Sequence, residues 1–450
     1  MFKKVVIIGA GPTGLGAAYR LQELGYNNWE ICESNSYIGG LASSFEDDKG
    51  FTWDIGGHLL FSHYDYVHKL VAKLLGDEYL LHQRDSWIWV LNHWVPYPFQ
   101  NNIRYLPKDK VLECLLGLIE IQGQNDDSKN FQEWILNTFG EGIAKYFMLP
   151  HNRKLWAHPL ESMDKNWIAE RVSVVNIEKV LKNVLYELDD VDWGPNSQFK
   201  FPLYGGTGGL FNRFMPYIQD HLSLGQEMTA ANVETKVVKF SSGREAGYDV
   251  LINTTPLDQF IFKMTPKVDF LIEAAKLLKH NGIFSIGIAV RKPCPSKKCS
   301  LYFPESNYCF HRATYFSNYS PNNVPDAKRY YSLMCEIPYS EHRPEDRGKI
   351  VAETIEGLVK ANLISEGDKD LIDTVHVIQA DYAYPIPTLE RDKALNTIQP
   401  YLEGKGIYSR GRFGAWKYEV GNMDHSIMQG VEAVDRILEH KEGKNVEVDD

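Results

Sequence analysis

The N-terminal segment KKVVIIGAGPTGL constrains the fold of this 450-residue chain more than any other feature. An apolar strand runs directly into GAGPTG, which places glycines at Gly9, Gly11 and Gly14. The following residues have helical periodicity up to Gly25, and NWEICES predicts a second strand that ends at Glu33. Together these elements form a βαβ unit, so the sequence predicts an α/β protein that opens with a Rossmann-like domain.

The same context predicts a dinucleotide site. Gly9 allows the tight turn, Gly11 lets the backbone approach a pyrophosphate at the helix N-terminus, and Gly14 lets helix and strand pack closely. Glu33 would accept hydrogen bonds from an adenosine ribose. The fingerprint alone does not distinguish NAD from FAD.

Three further glycine-bearing segments bear on that choice. They are SYIGGLASS with Gly39 and Gly40, GGH at 56–58, and the C-terminal segment RGRFGAWKYEVGNMDHS. Each is either a separate surface turn or part of one extended cofactor site touched from several strand ends. Their distribution favours FAD over a nicotinamide cofactor.

The rest of the chain divides by pattern. A helix with a stop at Gly76 follows the GGH segment, and WIWVLNHWVPYPFQNN predicts a hairpin that leads into a loop. Residues 107–190 have mainly helical periodicity, whereas 285–390 predict strands with one helical stretch. The chain closes with a strand, a glycine-bearing loop and a helix, and we expect its last dozen charged residues to fray.

Composition excludes several classes of protein. Lysine and arginine number 48 against 59 acidic residues, a net charge of -11, so no general basic field attracts nucleic acid or anionic membranes. No run of eighteen apolar residues predicts a spanning helix, and no cleavage site follows the first apolar run, so we expect a soluble protein without membrane insertion. Six cysteines without a CxxC pair are typical of reduced thiols and predict a cytoplasmic location.

Several polar and aromatic residues are candidates for a second ligand. Tyr97 and Gln100 either hold a planar base or belong to a proline-stiffened hairpin with core aromatics. Arg171 and Arg312 suit bidentate phosphate recognition but equally suit structural ion pairs. Trp156 is either a ligand contact or a core residue.

The sequence lacks GxSxG, HExxH and suggestive carboxylate pairs, so we expect no metal site and no nucleophile from the protein. A bound cofactor should supply the reactive atom, while the protein positions the substrate. His58, in GGHLLFSHY, is an acid or base, a core histidine, or a marker of something bound beside the two glycines.

Motifs along nearly the whole chain resemble one family. They are VVIIGAGPTGLGAA, GGHLLFSHY, WVPYPFQNN, WGPN, GGTGG, LYFP, RATYFSNYSP, YPIPTL and SRGRFGAWKYEVGNMDHS. They resemble UDP-galactopyranose mutase, in particular its eukaryotic-type branch, within the amine-oxidase-like flavoprotein group.

The resemblance implies an α/β fold of three parts. These are a Rossmann-like FAD-binding domain built from discontinuous segments (1–83, 203–284 and 396–440), a helical domain with mobile substrate loops (104–195), and a twisted mixed β-sheet substrate domain (84–103, 196–202 and 285–395). A charged tail follows at 441–450. A homo-oligomer remains open.

The resemblance also implies an isomerase that interconverts UDP-galactopyranose and UDP-galactofuranose without net redox and supplies cell-surface glycan biosynthesis. In the family, N5 of reduced FAD attacks the anomeric carbon and displaces UDP, and the sugar opens, recloses and is recaptured by UDP. NAD(P)H serves only as the reductant.

Residue by residue, the resemblance assigns two groups of contacts. On the UDP-sugar side these are Phe61 at the sugar, Tyr97, Gln100 and Phe147 at uracil, Asn152 and Trp156 at ribose, Arg171 and Asn196 on closing loops, and Arg171, Arg312, Tyr302, Tyr319, Tyr384 and Tyr418 around the pyrophosphate. On the FAD side they are Gly9, Gly11, Thr13, Gly14, Glu33, Gly39, Gly40, Leu41, Gly56, Gly57, His58, Arg84, Ser86, Arg412, Gly421, Asn422, Met423 and Ser426.

The catalytic group implied by the resemblance is Gly57, His58, Arg171 and Arg312, with the Gly57 carbonyl and His58 rearranging as the flavin changes redox state. One position departs from the family. Ser300 stands where eukaryotic-type members carry tryptophan before LYFP, so a mutase acting on another nucleotide-activated hexose stays open. An amine-oxidase-type FAD oxidoreductase and a non-catalytic nucleotide-sugar or dinucleotide binder also stay open.

Overall fold

The structure is a computed structural model that describes residues 3–168, 175–191 and 198–439. Within these ranges the strands, in chain order, are β1 (Val5–Ile8), β2 (Trp29–Cys32), β3 (Ser44–Glu46), β4 (Thr52–Asp54), β5 (Tyr79–Gln83), β6 (Ser86–Val90), β7 (His93–Pro96), β8 (Gln198–Pro202), β9 (Leu222–Ser223), β10 (Met228–Asn232), β11 (Val237–Phe240), β12 (Glu245–Gly247), β13 (Val250–Asn253), β14 (Met264–Thr265), β15 (Lys279–Val290), β16 (Ser300–Tyr302), β17 (Arg312–Tyr315), β18 (Tyr331–Tyr339), β19 (Ile372–Ile386) and β20 (Ile407–Ser409).

The α-helices of the same ranges are α1 (Pro12–Glu23), α2 (Asp65–Leu75), α3 (Lys108–Glu120), α4 (Phe131–Ile143), α5 (Leu149–Trp156), α6 (Ile177–Tyr186), α7 (Gly208–Asn212), α8 (Met215–Ile218), α9 (Leu257–Lys263), α10 (Asp269–Lys276), α11 (Ile350–Lys360), α12 (Arg391–Gly404) and α13 (Met423–Glu439). A π-helical turn at Ala144–Met148 joins α4 to α5. In the described residues no helix is long and apolar enough to cross a membrane.

A five-stranded parallel sheet with the order β20-β13-β1-β2-β9 forms the first layer. Val5 and Ile7 of β1 pack into one core, while Val6 and Ile8 pack into the core on the opposite face. A strand buried on both faces reads as a continuous apolar run, which is why VVII is uninterrupted. Helices α1, α2 and α13 cover one face, and α9, α10 and α12 cover the other. The predicted Rossmann-like opening is confirmed.

Two glycines allow α1 and α13 to pack backbone against backbone. A Cβ on Gly16 would overlap the Ile427 carbonyl, and a Cβ on Gly430 would overlap the Thr13 carbonyl. The Arg20 Nε also donates to Asp435 Oδ1 at 2.7 Å along the same pair of helices. This close contact fixes the N-terminus of α13 beside the first glycine turn.

A seven-stranded mixed sheet with the order β19-β15-β18-β17-β16-β6-β7 forms the second layer. Its long strand β15 pairs antiparallel with β18 from Gly282↔Tyr339 to Val290↔Tyr331. The predicted β6–β7 hairpin is present, and it joins the sheet through parallel pairing of β6 with β16. Two of the expected domain boundaries fall within elements, since residue 284 lies inside β15 and residue 395 lies inside α12, and the domain division stays a prediction.

Helices α3 to α6 form the third part and pack on the β6–β7 hairpin through one apolar core. Asn130 caps α4, since its side-chain oxygen accepts from the Glu133 N–H at 2.9 Å. Gly117 and Gly140 let α3 and α4 approach closely, because a Cβ on either would meet the backbone of the other helix. The predicted helical segment is therefore confirmed over its described residues.

Candidate active site

A cavity of about 1030 Å³ runs through the middle of the molecule. One arm follows the C-terminal ends of the parallel strands, where Gly9 follows β1, Glu33 follows β2, Thr254 follows β13 and Gly411 lies just beyond β20. Ligands of open α/β sheets bind at this edge. The other arm lies between the seven-stranded sheet and the helices α4 and α5.

The first glycine turn has the geometry that the sequence predicts. Gly9 has φ +97°, and a Cβ on Gly14 would overlap the Gly9 carbonyl, so both positions require glycine. Gly40 has φ +55°, and a Cβ there would come within 3.1 Å of the Gly11 Cα. Two turns that are separate in sequence thus form one narrow backbone cradle at the N-terminus of α1, which suits a pyrophosphate.

Glu33 lies at the end of β2 with its side chain almost fully buried on the cavity wall. Its Oε2 accepts from the Ala10 N–H at 2.7 Å, and its Oε1 accepts from the Asn35 N–H at 2.9 Å and from the Asn35 amide at 2.7 Å. The carboxylate therefore fixes the glycine turn itself. Its predicted contact with a ribose stays a prediction.

The C-terminal segment closes the same arm. Arg412 donates from Nε to the Gly421 carbonyl at 3.0 Å and from Nη1 to the Ala383 carbonyl at 3.1 Å. Gln429 of α13 joins both ends of the loop, since it accepts from the Gly411 N–H at 2.7 Å and donates to the Val420 carbonyl at 2.8 Å. These bonds hold residues 411–426 against the first glycine turn.

An ion pair stands where the two arms meet. Arg312 of β17 donates to Glu336 of β18 at 2.7 Å from Nε and at 2.8 Å from Nη2. The same pair holds the GGH segment, because Arg312 Nη2 also donates to the Gly57 carbonyl at 2.9 Å and the Gly57 N–H donates to Glu336 Oε1 at 3.0 Å. A Cβ on Gly57 would come within 3.0 Å of both partners.

The pKa values of two side chains at this centre are lowered. The pKa of Glu336 is lowered to about 2, because the Arg312 charge and the neighbouring hydrogen bonds outweigh the opposing effect of burial. The pKa of His58 is lowered to about 4, mainly by burial and then by the charge of Arg412. His58 is therefore neutral at physiological pH, which does not favour it as a general acid.

Aromatic rings line the second arm. Tyr97 lies 5.6 Å from Tyr302 between ring centroids, and both rings belong to the cavity wall. Phe147 has two rings nearly parallel to it, Phe99 at 5.0 Å and 24° and His151 at 5.0 Å and 15°. A base that stacks on Phe147 must therefore share or displace one of these neighbours.

The predicted residues fall into three groups. Most line the cavity, including Phe61, Asn152, Trp156, Tyr384 and Tyr418. Five are absent from its wall: Gly14, Gly39, Ser86, Gln100 and Tyr319. Arg171 and Asn196 lie outside the described residues.

The structure places three residues whose roles the sequence left open. Arg312 forms a structural ion pair and also faces the cavity, while its contact with a phosphate stays a prediction. Trp156 is 1% exposed and packs in the helical core, yet its ring forms part of the wall. Ser300 is buried, and its Oγ lies 2.8 Å from the Tyr319 hydroxyl. The Tyr319 hydroxyl is thus hydrogen-bonded to a residue that does not line the cavity.

Sequence reasoning missed Glu336, His151 and His311, all of which line the cavity. Glu336 could have been found from the sequence, because it is the only charged residue in YSLMCEIPY, a strand whose other residues suit a buried core. The two histidines carry no comparable local signal. Among the described residues, no three histidine, cysteine or acidic side chains are grouped as they would be around a metal ion.

Comparison with known proteins identifies the class to which this fold and cavity belong. The family model of the flavin containing amine oxidoreductases matches residues 12–438, so the chain belongs to that family. A protoporphyrinogen oxidase from Exiguobacterium sp. 255-15, described as putative, shares the fold with a TM-score of 0.74 at 16% identity, covering 98% of this chain and 100% of that one.

Within that class, the chain is similar to reduced UDP-galactopyranose mutase. The two are 41% identical with a TM-score of 0.95, over 98% of this chain and 95% of the other, so the chain belongs to the UDP-galactopyranose mutase family. The resemblance to this mutase family and the α/β fold predicted from the motifs are confirmed, while the eukaryotic-type branch stays a prediction.

Two curated relatives match a short segment of the chain. Zeta-carotene desaturase of Capsicum annuum is 37% identical over 78 residues, which is 17% of this chain, and the chain spans only 13% of that relative's length. The 4,4'-diaponeurosporene oxygenase of Staphylococcus aureus (strain USA300) is 33% identical over 89 residues, 18% of each protein.

Proposed function

We propose that this protein is a flavin-dependent isomerase that interconverts UDP-galactopyranose and UDP-galactofuranose without net redox, as a member of the eukaryotic-type branch. The observation that carries the proposal is the position of Arg312. Its guanidinium stands on the cavity wall between the arm along the parallel sheet and the aromatic arm, with Tyr302 and Tyr384 on the same wall. A diphosphate bound there would carry its sugar towards the first arm and its base towards the second.

The first arm suits FAD. The glycine cradle of Gly11 and Gly40 admits a pyrophosphate, Glu33 ends β2 beside it, and Arg412 closes the far side. Bound and reduced, the flavin would supply the nucleophile for the anomeric carbon, with NAD(P)H as the reductant. His58 and Gly57 would lie between this cofactor and Arg312.

The chain's own residues would bind and orient the substrate and shield it from water. Arg312 is held by Glu336 in a fixed bidentate geometry, so it would meet a diphosphate without losing side-chain freedom on binding. Tyr302 and Tyr384 offer hydroxyl donors on the same wall, and the rings of Phe147 and Trp156 keep water from the base. Arg171 and Asn196 remain proposed contacts of the closing loops.

A mutase for another nucleotide-activated hexose is the second candidate. Ser300 supports it, because this short side chain, hydrogen-bonded to the Tyr319 hydroxyl, stands where eukaryotic-type members carry a tryptophan. An amine-oxidase-type redox function is less favoured, since a buried guanidinium at the centre of the cavity suits an anion better than an amine.

The test is turnover under controlled redox state. The purified yellow protein is reduced with dithionite, or with NADH or NADPH, incubated anaerobically with UDP-galactofuranose, and the products are separated by chromatography. We expect UDP-galactopyranose with the reduced protein and no turnover with the oxidised one. An oxidised sugar product would refute the isomerase, and turnover of another UDP-hexose alone would select the second candidate.

Two further properties complete the proposal. The reduced thiols expected from the sequence and the nucleotide-sugar substrate agree with a cytoplasmic enzyme. Sedimentation of the purified protein would establish whether it forms a homo-oligomer.

A further inference from the structure

Two histidines lie together on the wall of the aromatic arm. His151 belongs to α5, and His311 directly precedes β17, so one comes from the helices and the other from the seven-stranded sheet. Their ring centroids are 6.1 Å apart. His151 also stacks on Phe147, and its edge meets Tyr302 at 5.6 Å between centroids.

Three of their four ring nitrogens lack a hydrogen-bond partner among the described residues. Within the described part of the chain, neither nitrogen of His311 and not the Nδ1 of His151 has a partner, although all three atoms are buried. The nearest acidic atom is Glu336 Oε2, 3.7 Å from His311 Nε2, which is beyond hydrogen-bonding distance. Buried polar groups in folded proteins are nearly always paired, so these nitrogens need a partner, and a small turn of the rings towards the cavity would let a ligand supply one.

The electrostatic setting favours a ligand with negative charge. Arg312 and Lys154 lie close enough to act on both imidazoles, while Glu336 is the acidic group that faces His311. Glu336, which is bonded to Arg312 and to the Gly57 N–H, acts in the opposite direction and raises the pKa of His311. Burial, together with the nearby cations, outweighs the effect of Glu336, so the pKa of both histidines is lowered.

We propose that His151 and His311 are further substrate-binding residues, which hydrogen-bond the diphosphate and the adjoining nucleoside and take up about one proton from solvent when the nucleotide sugar binds. No bond of the substrate breaks in this step, and the proton ends on an imidazole nitrogen. The inference rests on the proposed function, because it takes the ligand of this arm to be a UDP-sugar.

The direction in which affinity changes with pH follows from the linkage between proton binding and ligand binding. Two phosphate charges beside the pair stabilise the imidazolium and raise the pKa of each histidine from its lowered value. Protons are then taken up between the pKa without ligand and the pKa with ligand. In that window affinity increases as pH falls, by about tenfold per pH unit for one proton.

Calorimetric titration of the oxidised, FAD-loaded protein with UDP-galactopyranose measures the uptake directly. The binding enthalpy is recorded at several pH values from 5.5 to 7.5 in pairs of buffers with different ionisation enthalpies. UDP-galactopyranose is the probe because the terminal phosphate of UDP titrates near pH 6 itself. We expect about one proton taken up within this range, and none with uridine, which carries no phosphate.

Variants of the two histidines test whether these residues take up the proton. His311→Gln and His151→Gln keep a hydrogen-bonding side chain but cannot titrate, so each should reduce uptake while affinity changes only a few-fold at pH 7.5. His311→Phe and His151→Phe should weaken binding at least tenfold as well. His93→Gln, at the exposed histidine that begins β7, is the matched control and should bind like the wild type.

Three outcomes overturn the proposal. They are UDP-galactopyranose binding without proton uptake, uptake that persists in the double variant His151→Gln/His311→Gln, and uptake that disappears in Lys154→Met but not in the histidine variants. Burial lowers the pKa of Lys154 to about 7, which makes this lysine the competing acceptor. If UDP-galactopyranose does not bind at all, the proposed function fails instead, so the two failures are distinct.

Discussion

Replacing Glu336 with glutamine tests whether the Arg312–Glu336 pair holds the two arms of the cavity together. Glutamine has nearly the same shape but no charge, so Arg312 would remain buried with only the Gly57 carbonyl and a neutral amide as partners. Removing one member of a buried pair typically costs about 3–5 kcal/mol.

The pKa of Glu336 gives an independent magnitude. It is lowered from 4.5 to about 2, and this difference corresponds to roughly 3 kcal/mol of stability at neutral pH. Because the pKa in the folded protein is depressed, the contribution is fully present above pH 4.5 and is lost as pH falls towards 2. The two routes agree on about 3 kcal/mol.

The assay is thermal unfolding, followed by circular dichroism and by the fluorescence of released flavin. Unfolding entropy scales with chain length, so 450 residues give about 1 °C per kcal/mol and Glu336→Gln should lower Tm by roughly 3 °C at pH 7. The difference from wild type should shrink as the pH is lowered below 4.5. Glu245→Gln is the control, since Glu245 pairs with Lys239 at the surface and such pairs contribute at most about 1 kcal/mol. A Tm for Glu336→Gln as close to wild type as that of the control would refute the reasoning.

Four further predictions concern single positions. Arg312→Ala should weaken UDP binding at least a hundredfold in calorimetry while the purified protein still carries FAD, and retained UDP affinity would remove Arg312 from the diphosphate site. Gly14→Ala should abolish flavin incorporation, judged by absorbance at 450 nm, because its Cβ overlaps the Gly9 carbonyl, whereas Gly404→Ala, with open space around the Cβ, should load normally. Ser300→Ala should cost about 1–3 kcal/mol in urea unfolding, since it removes the bond to the buried Tyr319 hydroxyl, and an unchanged midpoint would contradict this. Burial raises the pKa of Asp54 to about 7, so wild-type stability should fall as pH rises from 4 through 7, and Asp54→Asn should flatten that dependence in urea titrations at several pH values.

The sequence determined the layers of the fold because local patterns carry that information. VVIIGAGPTG specified a buried strand, a turn that requires glycine and a helix start, and all three are present at β1, Gly9 and α1. The hairpin of β6 and β7 and the helical block from α3 to α6 were equally readable from periodicity. The expected domain boundaries at 284 and 395 stay predictions, and β15 and α12 continue through these two positions.

Motifs in the sequence also predicted many of the residues that lie on the cavity wall. Glycines at strand ends and tyrosines in loops are recognisable because their chemistry is unusual for their positions. Gln100 and Tyr319 show the limit of that inference, because each is buried off the wall although its motif suggested a contact. A side chain's direction is set by packing, which a motif does not record.

Only the tertiary structure decided which distant residues act together. The pairing of β17 with β18 places Arg312 opposite Glu336, and their hydrogen bonds then reach the Gly57 backbone from an entirely different segment. The proximity of His151 to His311 likewise depends on α5 packing against the mixed sheet. Charged groups and unpaired nitrogens interact strongly only when they lie a few ångströms apart in a low-dielectric interior. Residues that are distant in sequence reach such separations only when the chain is folded.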